Sequence, residues 1–267
     1  MARRGKALAL GPLFILGFPR SGTTAMANAI ARLKRFGGYG PEGHFIYLFA
    51  GPLNRIAAGE FNANSILHEE GAPDTVLDAF RALTNQLYSS QADPADTTWI
   101  DKTPDLLQVR AVPLIDRLWP DARYIFLYRP PEAAVRSSLA LWPGQVTGNE
   151  RNTAQRWVNC QQSWRRVRPR LGTRCVDVFQ PEMLAAPQTI AAALQPLLDL
   201  SDSEVDALTR IWTRHPRMNR PDGPRGEAYD KVTLTAEVAA DVTAITREEA
   251  AHWPAITAAD AKKSPPR

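Results

Sequence analysis

Residues Phe14 to Thr24 read Phe-Ile-Leu-Gly-Phe-Pro-Arg-Ser-Gly-Thr-Thr, and their types suit the binding of an anion. Gly17 and Gly22 free the backbone of a short loop, and Arg20 adds a permanent charge. Ser21, Thr23 and Thr24 add hydroxyls. A second pair, Arg129 and Ser137, stands eight residues apart. A forked guanidinium and a hydroxyl at that spacing can converge on one phosphate. A third group, Glu42, His44 and Lys102, offers two proton acceptors and a cation.

Elements with recognisable signals must hold these groups. An apolar run from Leu13 to Leu16 enters the loop as a strand. Thr23 to Phe36 leaves it as a helix, with Met26, Ile30 and Leu33 at helical spacing and Gly37-Gly38 as the stop. A glycine loop between a strand and a helix N-terminus points free N–H groups and the helix dipole at one bound group. The loop is similar to the nucleotide-binding pattern G-x-x-x-x-G-K-S/T, but Thr23 stands where the lysine would be and Thr24 follows. The basic residue comes earlier, at Arg20, so nothing here reaches the outer phosphates of a nucleoside triphosphate. Pro-Arg-Ser-Gly-Thr-Thr after an apolar strand instead resembles the 5′-phosphosulfate loop of sulfotransferases, whose donor is 3′-phosphoadenosine 5′-phosphosulfate (PAPS).

Four further stretches carry the same resemblance. Residues 124–129 form a buried strand ending at Arg129, and Pro130-Pro131 open a helix that carries Ser137. This resembles the family's 3′-phosphate element, matching at the arginine, the second proline and the serine. Asp101-Lys102-Thr103-Pro104 resembles an E-K-T-P element, with Asp for Glu, and makes Lys102 a second cation for the transferring group. Glu42, His44 and Phe45 match the K-E-x-H-F-F stretch of the carbohydrate branch, where the glutamate takes the acceptor proton. His44 is the rival base, since the cytosolic branch uses histidine. Val176–Pro187 loosely resembles the family's V-x-Y-E-D-L stretch, which puts Phe179 beside the adenine. In the basic segment His215–Tyr229, Arg225 and Gly226, with His215, Arg217 and Arg220, are the candidates to close over the nucleotide. The resemblance spans roughly residues 12–190. It implies sulfuryl transfer from PAPS, and the expected acceptor is a hydroxyl, with an amine as the second choice, of a small or medium metabolite, lipid or sugar. PAP (3′-phosphoadenosine 5′-phosphate) is then the product, and no metal is implied. The alternatives are a P-loop kinase or NTPase, and a catalytically silent nucleotide-binding module.

Composition agrees with a soluble globular protein. The 267 residues are 44% hydrophobic and 22% charged, with a net charge of +4. That balance suits an anionic small molecule but lacks the dense basic blocks of a nucleic-acid reader. Arg165, Arg166, Arg168 and Arg170 read as a solvated helix face. The two cysteines, Cys160 and Cys175, form no C-x-x-C pair, which argues against a disulfide framework or structural zinc and for the reduced cytoplasm. The basic start and the apolar residues 7–18 mimic a leader, yet they run into the loop and read as the first core strand. No stretch approaches the ~20 apolar residues of a membrane helix. Strands at Leu13–Phe18, Thr98–Ile100, Arg123–Tyr128 and Arg174–Phe179 alternate with helices at Val76–Ser90, Thr153–Arg168 and Gln188–Leu198. This predicts an α/β fold: a P-loop-type, mostly parallel sheet of four or five strands, flanked by helices on both faces. One domain is expected over residues 1–259, with 260–267 a frayed tail. Phe45 to Phe49 form an aromatic run that either lines an acceptor pocket or buries a helix face. Trp142 opens a polar stretch, Gln145 to Asn152, that is a candidate lid.

Overall fold

In the computed structural model, residues 10–37, 42–90, 98–214 and 232–253 are described. The strands are β1 (Leu13–Gly17), β2 (Phe36–Gly37), β3 (Thr98–Lys102), β4 (Arg123–Tyr128) and β5 (Cys175–Phe179). They form one sheet in the order β2-β3-β1-β4-β5, and every pairing is parallel. Leu13 is level with Ile100 and Arg123, and Tyr128 is level with Phe179. The connections after β1, β3, β4 and β5 therefore all leave from one carboxyl edge. In open parallel sheets ligands bind outside that edge, where the strand order reverses, which here is beside β1.

The period-2 alternation of strand side chains divides the core in two. Leu13, Ile15, Ile100, Ile125, Leu127 and Val178 make an aliphatic side. It is covered by α1 (Thr23–Ile30), α9 (Glu182–Ala185), α10 (Pro187–Leu198) and α11 (Asp202–Arg214). Phe14, Trp99, Tyr124, Phe126, Tyr128 and Phe179 make an aromatic side. It is covered by α2 (Phe45–Ala57), α3 (Ala72–Ser89), α4 (Leu106–Arg110), α5 (Val112–Leu118), α6 (Pro131–Leu141), α8 (Glu150–Leu171) and a last helix, α12 (Ala236–Ala250). Phe126 stacks on Trp164 of α8 at 4.7 Å, and Tyr128 stacks on Trp253 at 4.6 Å. Strands apolar at every position need cover on both faces, and the two helical layers supply it. Among the described residues no helix is long and apolar enough to cross a membrane.

Two expectations are corrected. The first helix stops at Ile30 rather than Phe36, because the chain is drawn out into the edge strand β2. Thr98 N–H donates to Arg35 O at 2.9 Å, and Arg35 itself donates to Glu204 and to the Leu198 and Asp199 carbonyls. A two-residue strand has no periodicity to read, so only these long-range bonds reveal it. The arginines of α8 are not simply a solvated face. Arg165 makes two bonds of 2.8 Å to Glu249 of α12, which is 3% exposed, and Arg168 pairs with Asp177 of β5. The candidate lid, Gln145 to Asn152, takes in the end of α7 (Pro143–Val146) and the start of α8 from Glu150, which leaves its role as a lid a proposal. The segment His215–Tyr229 and the tail lie outside the described residues.

The Arg165–Glu249 fork gives a stability prediction. Arg165→Ala leaves a buried carboxylate without its counter-charge, so about 1–3 kcal/mol should be lost, less than for a fully buried pair because Arg165 is half-exposed. Denaturant titration should show a lower midpoint at unchanged slope. A loss below ~0.5 kcal/mol would mean that packing alone holds α12.

Candidate active site

The loop between β1 and α1 is pressed onto its neighbours by its two glycines. Gly17 has φ +152°, and a Cβ there would lie 2.7 Å from the Leu127 carbonyl oxygen of β4. Gly22, at φ +90°, begins α1, and a Cβ there would lie 2.9 Å from Cγ of Gln180. Arg20 also takes the left-handed conformation, at φ +71°, which costs a side-chain-bearing residue about 1–2 kcal/mol. Its supports are visible. Ser21 N–H donates to Phe18 O at 3.1 Å, and Arg129 Nη1 donates to Arg20 O at 2.8 Å. Arg20 Nε donates to Ser137 Oγ at 3.2 Å, and the Arg20 guanidinium lies 6.0 Å from the Trp142 ring. Arg129 is held in turn by Trp157, whose indole N–H donates to the Arg129 carbonyl at 3.0 Å.

These residues fit an anionic donor group. No side chain caps α1, so its first N–H groups have no partner within the helix. Ser21 Oγ is buried and has no hydrogen-bond partner among the described residues. Thr23 is buried and Thr24 half-buried at the same helix start. Orphan donors, a buried hydroxyl and two arginines around one loop are the composition of a phosphate cradle.

A second cluster stands at the carboxyl end of β3, the strand next to β1. Lys102, level with Ile15 and 6% exposed, donates to Glu42 Oε1 at 2.6 Å. His44 Nε2 lies 3.3 Å from Glu42 Oε2, and His44 Nδ1 lies 2.9 Å from the Tyr47 hydroxyl. The three candidates Glu42, His44 and Lys102 are thus brought together. The rival partner for Lys102, Asp101, is engaged elsewhere: it is buried and accepts hydrogen bonds from the Tyr88 hydroxyl and, at 3.5 Å, from Gln108. Burial pushes the Asp101 carboxyl above its ordinary value, against the opposing hydrogen bonds from Tyr88 and Thr103. The Tyr88 hydroxyl is also pushed up, first by burial and then by Asp101.

Other expected residues have different surroundings. The Phe179 ring, expected beside the adenine, is 8% exposed and stacks on Tyr128 at 5.3 Å as part of the aromatic core. Arg225 and Gly226 lie outside the described residues. In α2, Phe45 stacks on Phe80 and Ile46 is buried, so most of the aromatic run packs the helix down, while Leu48 and Phe49 stay exposed. Sequence reasoning missed Tyr88, Trp157 and Gln180. The first two read as ordinary core aromatics on helices, and Gln180 follows a strand with no motif of its own, so nothing local announces them.

Comparison with known proteins gives the family and the fold. The model of the sulfotransferase family matches residues 12–204. No curated protein matches the chain in sequence comparison. Among solved structures, a sulfotransferase from Mycobacterium avium aligns with TM-score 0.55 at 18% identity, over 92% of this chain and 78% of that one. The sulfotransferase domain of the Synechococcus olefin synthase aligns with TM-score 0.55 at 18% identity, over 95% of this chain and 99% of the domain. The sulfotransferase domain of the curacin biosynthetic pathway aligns with TM-score 0.52 at 17% identity, over 90% and 98%. Nothing in these comparisons favours phosphoryl transfer. The family match runs from the strand that feeds the glycine loop into α11, and the chain belongs to the sulfotransferase family.

Proposed function

We propose that this sulfotransferase uses PAPS as donor, with the 5′-phosphosulfate on the β1–α1 loop and the 3′-phosphate on Arg129 and Ser137. The observation that carries this reading is the meeting of two distant motifs: Arg20 with Ser137, and Arg129 with the Arg20 carbonyl. PAPS as donor and PAP as product are what membership of the family implies. The donor supplies the sulfuryl group, and the protein supplies positioning and charge. The N–H groups of Gly22, Thr23 and Thr24, the hydroxyls of Ser21, Thr23 and Thr24, and Arg20 hold the negative charge that builds on the leaving phosphate. Glu42 takes the proton of the acceptor hydroxyl as its oxygen attacks sulfur in line. Lys102 on one carboxylate oxygen and His44 beside the other fix its orientation. Lys102 is the second cation near the transferring group. Arg225 and Gly226 are the candidate cover of the nucleotide, and Phe179 is the candidate wall beside the adenine through what its packing leaves exposed. No metal is assigned a role.

The acceptor is proposed to be a hydroxyl on a small or medium metabolite, lipid or sugar. An apolar body is favoured over a sugar. Leu48 on α2, Leu107 on α4 and Trp142 after α6 are exposed, at 64%, 49% and 37%, on elements that carry or flank the site. Leu48 stands four residues after His44, Leu107 five after Lys102, and the Trp142 ring lies 6.0 Å from the Arg20 guanidinium. The two unpaired cysteines, Cys160 and Cys175, suit a cytoplasmic enzyme.

Two measurements test the reading. Calorimetry without metal should show PAP binding more tightly than ATP or 5′-AMP. Arg129→Ala should weaken PAP by about 10- to 100-fold, the worth of one charge-assisted contact, and erase the preference for the 3′-phosphate. Equal affinity for 5′-AMP and PAP in the unaltered protein would overturn the donor assignment. In a turnover assay, Glu42→Gln should lower kcat by about 100-fold or more with PAP affinity unchanged. If His44→Ala does this and Glu42→Gln does not, the base is His44.

A further inference from the structure

Tyr88 and Asp101 lie against the short segment that carries Glu42 and His44. A Cβ at Gly43 would collide with the Tyr88 hydroxyl and lie 3.0 Å from Asp101 Oδ2, so the backbone at Gly43 rests on this pair. Thr103 adds a link. Its hydroxyl accepts from the His44 backbone N–H at 3.5 Å and makes a side-chain hydrogen bond to Asp101. His44 itself is held in the left-handed region, at φ +52°, a conformation that persists only where surroundings enforce it. Successive residues of β3 point to opposite faces. Asp101 therefore holds the Gly43 backbone from one side of the strand while Lys102 takes the Glu42 carboxylate from the other.

We propose that Tyr88, Asp101 and Thr103 form the seat that positions Glu42, acting through the backbone of Glu42–His44 rather than on the acceptor. The proposal rests on Glu42 being the base. Tyr88 and Asp101 are positioning residues, and Lys102 orients a carboxylate that the seat has already put in place. A seat of this kind matters because displacing a catalytic group by about 1 Å can cost 100-fold in rate.

Tyr88→Phe is the informative variant. It keeps the ring stacked on Trp99, with centroids 4.5 Å apart, and removes only the hydroxyl. Release of PAP from PAPS is the readout, with 2-naphthol as probe acceptor and with water alone. Tyr88→Phe should lower kcat about tenfold, with PAP affinity and the KM for 2-naphthol within twofold of the parent. Added to Glu42→Gln, it should lower the residual turnover no further, because both changes act on one function. Gly43→Ala should also lose turnover, and should regain part of it when Tyr88→Phe removes the atom the new methyl strikes. Full turnover in Tyr88→Phe, or a loss that multiplies with that of Glu42→Gln, would overturn the seat. So would a fall in kcat matched by the fraction unfolded in a thermal scan. Full turnover in Glu42→Gln would instead remove the base assignment and the seat with it.

Discussion

The hydrogen bond from Arg129 to the Arg20 carbonyl is the contact on which the rest of the site depends. The loop after β1 must turn sharply enough to aim several N–H groups at one point, and it does so by putting a side-chain-bearing residue in the left-handed region. That geometry is unfavourable by itself and persists only where its surroundings enforce it. Arg129 enforces it from β4, Ser137 from α6, and Trp157 fixes Arg129 from α8. The parallel order β3-β1-β4 is what brings these elements to one edge. The cradle is therefore a product of the sheet, although its residues are spread over more than a hundred positions.

Much of the architecture was legible because its signals are local. The apolar β1 and β4, the amphipathic α3 and α10, and the Pro-initiated α6 all match elements expected from pattern. What escaped was tertiary in origin. Strand β2 exists because Arg35 and Thr98 bond across the chain, and the basic face of α8 is tied down because α12 and β5 bring carboxylates to it. Neither α11 nor α12 was expected: the alanine-rich α12 carries weak periodicity, whereas Val205, Leu208 and Trp212 give α11 a helical spacing that the sequence reading overlooked.

The candidate site was legible to a different depth on its two sides. The β1–α1 loop and the Arg129–Ser137 pair, both proposed to hold the donor, could be named because phosphate recognition demands particular residues at particular spacings. Glu42, His44 and Lys102 could be named from resemblance, but their mutual contacts could not, since sixty residues separate the carboxylate from the lysine. Tyr88 was invisible: a tyrosine on the buried face of a helix reads as packing, and only the approach of Gly43 gives its hydroxyl a second meaning. Phe179 was named from a motif position, and its ring also stacks on Tyr128, a contact that the motif did not announce.

The contrast between Gly17 and Leu48 has an evolutionary consequence. In the loop proposed to hold the donor, a side chain at Gly17 has nowhere to go but into the carbonyl of β4. On the other side, Leu48 projects from a helix whose fold is secured by Ile46, Leu53 and the packing of Phe45 and Phe49 on Phe80. Replacing an exposed side chain of that kind typically shifts stability by no more than ~0.5 kcal/mol. On the proposed reading, the loop at Gly17 is frozen by its own geometry, while an exposed acceptor-side position such as Leu48 can change at little thermodynamic risk. A lineage built on this scaffold would keep its nucleotide and change its customers.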